Sequence, residues 1–252
     1  MASAVAWRLF MANLRRIVML EIDSPSAVRR EVSFCEAVVD GQKEVEGVKA
    51  VFAGGIDAIK ACWKGNAIAV AVDPCWQSLS MIRPDVVVDA ILAKKNLGTK
   101  MNEAELVIGL GPGFSAGKDV HFVIETNRGH NLGRIITSGV AEPNTGIPGS
   151  IEGYSEERVL RAPGDGIFRA QMQIGDSVEK DEVVGVVNET KVNAGIGGVV
   201  RGLIRSGSSV IRGLKLGDID PRGDKRYCYT ISDKARAIAG SVLEGILRYY
   251  NS

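Results

Sequence analysis

Apolar positions in the first part of the chain come as short unbroken runs, each ending on an acid, a glycine or a polar turn. Ile17–Ile22, Ile68–Val72, Asp85–Asp89, Leu106–Leu110, Val120–Ile124 and Arg134–Thr137 read as strands, and their continuous rather than alternating apolarity predicts burial on both faces. Between them, a stripe through Val5, Leu9 and the Ala12/Asn13 turn predicts a helix from Val5 to Leu14, and Ile56–Trp63 predicts another. Ser33–Val39 and Val45–Val51, around Asp40 and Gly41, read as short strands or an edge helix. Apolar strands alternating with short helices predict an α/β fold with a Rossmann-like, mostly parallel sheet, Asp73, Asp89 and the Gly111 loop lying at one edge of it. The first helix-then-strand pair ends in Glu21 and Asp23, where a nucleotide-binding sheet presents a carboxylate to a ribose. Such a fold opens with a strand and a G-x-G-x-x-G loop, whereas this chain begins at Met1 already helical in character. The expectation is that the first strand and its glycine-rich loop are missing.

Beyond Gly149 the pattern changes to short strands punctuated by glycine, with no helical stripe until Ser232. Comparing the chain with itself at an offset of 32 residues explains the change: Ala162, Gly166, Ile167, Arg169, Gly175, Val178, Lys180 and Gly185 recur as Ala194, Gly198, Val199, Arg201, Gly207, Val210, Arg212 and Gly217. Two copies of one strand-turn-strand unit imply a pseudo-twofold module from about Val159 to Arg222. The pattern A-P-x-D-G-x-F followed by I-G-D-x-V-x-K-D resembles biotinyl and lipoyl domains, flattened barrels of two such repeats that carry their cofactor on a hairpin lysine flanked by methionines. Here the junction, Asn188 to Asn193, holds Lys191 without methionines, so a docking module on a barrel-sandwich is expected rather than a carrier of covalent biotin or lipoate. Ser232 then caps a final helix whose apolar face is Ala235, Ile238, Val242, Ile246 and Tyr249 or Tyr250, packing back on the first domain. Tyr227–Thr230 before it reads as a short strand. The expected division is 1–155 for the Rossmann-like domain, 156–225 for the barrel-sandwich module, and 226–252 for the closing strand and helix.

Charge narrows the partners. Lys and Arg total 31 against 30 for Asp and Glu, so the balance favours neither nucleic acid nor an acidic membrane face. No apolar run approaches the ~18 residues of a membrane span, and Arg8, Arg15 and Arg16 fall where a signal peptide would be apolar, so a cytoplasmic location is expected. Cys35, Cys62, Cys75 and Cys228 are scattered without a C-x-x-C pair and read as reduced, small buried residues, Cys75 being the one candidate thiolate.

Candidate chemistry gathers between Glu105 and Gly149, where both histidines lie. Asn127, Arg128, His130 and Asn131 on a glycine-containing loop either bind an oxyanion such as a pyrophosphate or form a self-satisfied turn with Arg128 on backbone carbonyls. Gly111 and Gly113 either cradle a phosphate, with Lys118 as a nearby cation, or serve a tight turn at a strand end. His121 reads as a strand residue paired with Asp119. His121, Glu125 and His130 have metal-ligating side chains but no standard ligand spacing, and no metal is expected. Glu21, Asp73 and Asp89 are strand-end carboxylates, Lys94 and Asn96 follow the last of them, and Arg29 with Arg30 is either a phosphate clamp or a solvated pair. No G-x-S-x-G elbow, Walker lysine or paired helical carboxylates are present.

The strings VVVDAILAKKNLGT, VIGLGPGF, FVIETNRGHNLGRI, AEPNTGIPG, LGDIDPRGD and TISDKARAI resemble the YqeB family over nearly the whole chain. That resemblance implies an accessory role in maturing a selenium-dependent molybdenum hydroxylase, with molybdopterin or its dinucleotide as cofactor and the hydroxylase or its maturation factors as partners. Members usually begin with a strand and a loop of the form G-G-G-D-x-A-S-G, of which only Ala2, Ser3 and Ala4 have counterparts here. The alternatives that the residues leave open are an NAD(P)-dependent oxidoreductase using Glu21, and a scaffold or carrier centred on Lys191; self-association into a homo-oligomer is also expected.

Overall fold

The computed structural model describes residues 1–251. The chain runs through α1 (Ala2–Met11), β1 (Val18–Glu21), two single 3-10 turns, α2 (Ala37–Asp40), β2 (Gln42–Val45), β3 (Val48–Phe52), α3 (Ile56–Lys64), β4 (Ile68–Val72), α4 (Leu79–Ile82) and β5 (Val86–Asp89). It continues with β6 (Leu106–Leu110), β7 (Ser115–Ala116), β8 (Phe122–Ile124), β9 (Ile135–Ile136) and β10 (Gly139–Val140). Then come β11 (Val159–Arg161), β12 (Gly166–Ala170), β13 (Ser177–Val178), β14 (Val183–Val187), β15 (Thr190–Asn193), β16 (Gly198–Leu203), β17 (Ser209–Val210) and β18 (Lys215–Asp220). The last helix is α5 (Asp233–Tyr250). The fold is thus mixed α/β, with parallel and antiparallel sheets and a C-terminal helix.

These elements form two compact units. The first comprises Met1–Asp23, Val48–Thr145 and Ile231–Ser252; the second comprises Ser24–Gly47 and Gly146–Thr230.

In the first unit the parallel strands make two sheets rather than one. β1, β4 and β3 pair in that order, all parallel, while β5, β6 and β8 are parallel and β9 closes the far edge antiparallel. Asp73 and Asp89 therefore end strands of different sheets, not one common edge. The middle strands are the driest: Ile68, Ala69 and Val70 of β4, and Leu106, Val107, Ile108 and Leu110 of β6, are fully buried. Each of these side chains larger than alanine contributes about 1.5–3 kcal/mol of transfer free energy, which holds two short sheets that would be marginal alone. On the first sheet α3 seals one face with Ile59, and Trp63 donates its indole N–H to the carbonyl of Ile17 at 2.8 Å. On the second, α5 buries Ile238, Ala239, Val242, Gly245 and Ile246; a Cβ on Gly245 would lie 3.4 Å from the Phe122 ring, so glycine sets how closely the helix approaches β8. The first helix is earlier than the apolar stripe predicts, ending at Met11, because Asn13 turns the backbone to φ +67°.

In the second unit the 32-residue repeat becomes topology. β11, β12, β13 and β14 of the first copy correspond to β15, β16, β17 and β18 of the second. One antiparallel sheet has the order β11-β18-β16-β13 and the other β15-β14-β12-β17. Each sheet therefore takes its inner pair from one copy and its outer strands from the other. One core joins them, with Leu160, Phe168, Val184, Val200, Leu203, Leu216 and Ile219 all 2% exposed or less. At the edge of that core Asp218 and Asp220 are each 1% exposed. Asp218 pairs with Arg158 at 3.0 Å and with Arg201; Asp220 pairs with Arg201 at 3.1 Å and Arg222 at 2.7 Å. Burial pushes both carboxyls up, but Lys215 and Arg201 around the first, and Arg222 and Arg201 around the second, hold both below the usual carboxylate range.

Several local expectations change here. Tyr227–Thr230 is no strand: Lys225–Cys228 is a 3-10 turn whose carbonyls are taken up by a side chain, Arg29 donating to the carbonyls of Tyr227 at 2.6 Å and Thr230 at 3.0 Å. Arg30 likewise donates to the carbonyl of Leu203, so this arginine pair is neither a phosphate clamp nor a solvated pair but a strap on its own unit. Ser33–Val39 forms 3-10 turns and the single-turn α2, and the Val45–Val51 run breaks at Glu46 and Gly47, both in the left-handed region, into two strands.

Candidate functional site

In the first unit, the carboxyl ends of β5, β6 and β8 emit loops that lock onto one another. The glycines explain how. At Gly113, φ is +114° and a Cβ would sit 2.7 Å from the Cα of Lys95, so the loop after β6 lies directly on the loop after β5. At Gly111, φ is +80° and a Cβ would meet the Thr126 hydroxyl, so the same loop lies against the end of β8. Close approach, to the Lys95 backbone at Gly113 and to the Thr126 side chain at Gly111, is what the structure requires of these two positions.

The acids in this region are braces. Asp89, 8% exposed, accepts from the Thr99 hydroxyl at 2.7 Å and from the Ile91 amide at 3.1 Å. Asn96 is spent on the same loop, accepting from the amides of Gly98 and Thr99 and donating to the Thr99 carbonyl. Glu125, named from the sequence only for its metal-ligating type and with no metal expected, is 2% exposed and accepts from the Asn127 and Glu142 amides, each at 2.7 Å. Asn127 and Asn131 both donate to the Glu142 carboxylate, at 2.6 and 3.0 Å, and hold it below its ordinary range. The protein's own carboxylate thus occupies the oxyanion seat that the loop offers. Beside it lies a cleft of about 360 Å³ lined by Glu125, Asn131, Arg134, Thr137, Ser138 and Glu142, among others.

Arg128 makes a two-pronged pair with Asp233, the first residue of α5, at 2.9 and 3.1 Å, so its guanidinium faces a carboxylate of the chain itself. That contact brings in the residue sequence reasoning missed, Lys234. Its amine has no hydrogen bond or ion pair among the described residues, and burial, then the charges of Lys94 and Arg128, pull its pKa below the usual lysine value. Lys94, Arg128 and Lys234 form a cationic group drawn from the β5 loop, the β8 loop and the first turn of α5. The periodicity of α5 gave no hint, since Lys234 falls on the polar side of the predicted stripe. His130 is exposed on the same β8 loop.

The remaining candidates lie elsewhere. Glu21 ends β1 and Asp73 follows β4, both on the other sheet. Asp73 accepts from the amides of Gln77 at 3.1 Å and Ser78 at 2.7 Å, while burial raises the Glu21 carboxyl above its ordinary value. Lys118 precedes β8, on the amino side of the strand whose carboxyl end carries Arg128. His121 is not paired with Asp119: its Nδ1 accepts from the Val107 amide at 2.9 Å and its ring meets Tyr249 edge-on, while Asp119 accepts from the Ser115 amide. Among the described residues no three His, Cys, Asp or Glu side chains are grouped to hold a metal, and no helix is long and apolar enough to cross a membrane. All four cysteines are free; Cys35 and Cys228 are buried, Cys62 half-buried and Cys75 exposed. In the second unit Lys191 stands within β15 opposite Val186, short of the hairpin turn.

Comparison with known proteins gives one strong likeness. No protein-family model matches the chain. Among solved structures, an aspartoacylase family protein from Mesorhizobium loti is 18% identical, covering 34% of this chain and 27% of that one, with a TM-score of 0.25. The product-bound ectoine utilization protein EutE of Ruegeria pomeroyi is 15% identical over 34% of this chain and 28% of that one, with a TM-score of 0.23. At those scores neither carries an argument. The "Uncharacterized protein YqeB" of Escherichia coli (strain K12) is 49% identical over 247 residues, 98% of this chain and 45% of that protein. The chain spans less than half the length of this curated relative. Across the strand-end loops and the repeated module alike, it belongs to the YqeB family.

Proposed function

We propose that this protein is an accessory factor in the maturation of a selenium-dependent molybdenum hydroxylase. It binds a nucleotide-bearing cofactor, molybdopterin or its dinucleotide, at the strand ends of a Rossmann-like unit, and docks its client or another maturation factor through a barrel-sandwich module. One observation carries the binding reading: Lys94, Arg128 and Lys234, from the loops of β5 and β8 and the first turn of α5, act on one another electrostatically, and among the described residues only Arg128 makes a salt bridge, while Glu125 and Asp233 offset part of the charge on Lys234. A half-buried ammonium beside like charges and without a salt bridge of its own is stabilised further when an anion joins it. A phosphate or pyrophosphate supplies that anion, and open parallel sheets bind ligands outside their strand carboxyl ends. The hydroxylase role follows from the family resemblance.

Native mass spectrometry of the protein from cells that make molybdopterin tests the reading. A bound mass matching a pterin nucleotide is expected, falling at least tenfold in occupancy in a Lys94→Ala/Lys234→Ala double variant. Bare protein, together with unchanged hydroxylase activity in a deletion strain, overturns it. Calorimetry of pyrophosphate binding should show affinity falling as ionic strength rises, the response expected of an anion held by charged side chains.

A second reading, an NAD(P)-dependent oxidoreductase, has Glu21 at the end of β1 in its favour, where a ribose hydroxyl would be accepted. Hydride transfer to or from added nicotinamide cofactor decides it.

A further inference from the structure

We infer that the carboxyl ends of β3 and β4 form a seat for an aminated fused aromatic ring, of the purine or pterin class. The inference rests on the nucleotide reading for the class of compound, and its evidence lies on the other sheet of the first unit.

A cavity of about 300 Å³ opens there, between the turn leaving β3, the end of β4 and α4. Its wall includes Phe52, Val72, Met81 and Ile82. Three of these are unusually open for large apolar groups: Phe52 is 40% exposed, Val72 39% and Met81 67%. Grouped at one mouth, such residues mark a binding surface rather than scattered surface apolarity. Phe52 and Val72 end adjacent paired strands, with Phe52 opposite Val70 in the ladder, so the backbone fixes both side chains at one lip.

The cavity also has a polar side. Asp73 lines it, and each of its carboxylate oxygens already accepts one backbone amide, from Gln77 or Ser78. Those bonds offset the cost of its partial burial and keep the carboxyl below its ordinary range. The carboxylate stays ionised and only half-buried, so an N–H donor entering the cavity can add to those bonds. Gly54 and Gly55 complete the wall with bare backbone.

Size and chemistry then select the occupant. Ligand pockets usually run from about 300 to 1,000 Å³, so this one has room for a single ring system and not for a whole dinucleotide. An aliphatic ligand would cover Phe52, Val72 and Met81 but would offer no donor to the ionised Asp73 carboxylate beside them. A sugar or free phosphate would leave the apolar lip wet, and a phosphate would meet Asp73 as a like charge. A flat ring with N–H donors on one edge satisfies both sides: its faces lie against Phe52 and Met81, and its amine donates to Asp73.

The test is methyl and amide NMR of the whole chain, titrated separately with adenosine and with neopterin. Saturable shifts are expected at the Gly54 and Gly55 amides and the Met81 methyl, with dissociation constants near the millimolar values typical of one weakly held ring. Gly54→Leu is the blocking variant: Gly54 lies outside the left-handed region, and a Cβ there meets nothing within 4 Å, so the added side chain enters open space without straining the backbone. It should weaken ring binding at least tenfold, while Lys180→Ala, an exposed position of the second unit, leaves it unchanged. Response to adenosine alone or neopterin alone identifies the ring. No shift with either compound up to about 5 mM, or shifts confined to the Lys94 and Arg128 loops, overturns the seat and leaves the nucleotide reading standing. Ring shifts that survive when pyrophosphate fails to bind the Lys94 and Lys234 loops retain the seat and remove the nucleotide reading.

Discussion

Single residues here are set by what lies against them more than by their type. Gly113 and Gly117 both adopt positive φ, yet a Cβ on Gly113 strikes the Lys95 backbone while one on Gly117 meets nothing within 4 Å. Gly117→Ala should cost about 1 kcal/mol for backbone strain alone, and Gly113→Ala about 3 kcal/mol or more, because a main-chain neighbour must move. Urea unfolding of the two variants checks the order; equal costs would mean that the packing of the β5 and β6 loops is not what Gly113 serves. Asp218 and Asp220 make the second case. Their folded pKa values lie below the unfolded value of about 3.9, so their stabilisation is complete above that pH and is lost as pH falls through the folded values. Asp218→Asn should cost about 3–5 kcal/mol at pH 7, since Arg158 and Arg201 lose their buried partner, and should flatten the acid limb of the stability curve measured by thermal melts. Residue chemistry was legible in part. Asn127 and Asn131 do bind an oxyanion, but it is Glu142, 11 positions beyond Asn131 in sequence, and no local pattern announces such a partner.

At the scale of elements, strands were more legible than what surrounds them. Ile68–Val72 and Leu106–Leu110 are strands with the bounds that their apolar runs predict, because an unbroken run bounded by turn residues leaves the backbone few other ways to bury it. The closing helix was equally plain. Ser232 caps it by accepting from the Ala235 amide at 3.4 Å, a long bond, so Ser232→Ala should cost no more than about 1 kcal/mol; circular dichroism melts read this, and a larger loss would place Ser232 in a further contact. Segments organised by distant side chains were opaque. The turn at Lys225–Cys228 exists because Arg29, 198 residues before Tyr227, fills its carbonyls, and an alternating string of aromatic residues looks like a strand until that arginine is in place.

At the scale of the whole molecule the repeat was the most informative property of the chain, because an offset of 32 residues maps every strand of one copy onto a strand of the other. What self-comparison could not reveal is that the copies exchange strands. The apolar runs of the first unit likewise predicted parallel pairing but not its division into two sheets, since a run specifies burial and not its neighbour. The exchange in the second unit has a consequence for how the chain reaches its native state. β11 and β18 are paired although Arg158 and Asp218, the ion pair at their junction, are 60 residues apart. Neither copy holds a complete sheet, so hairpins such as β14–β15 form early without completing either layer. The step expected to make the module cooperative is closure of that long loop, which costs more entropy than forming any single hairpin.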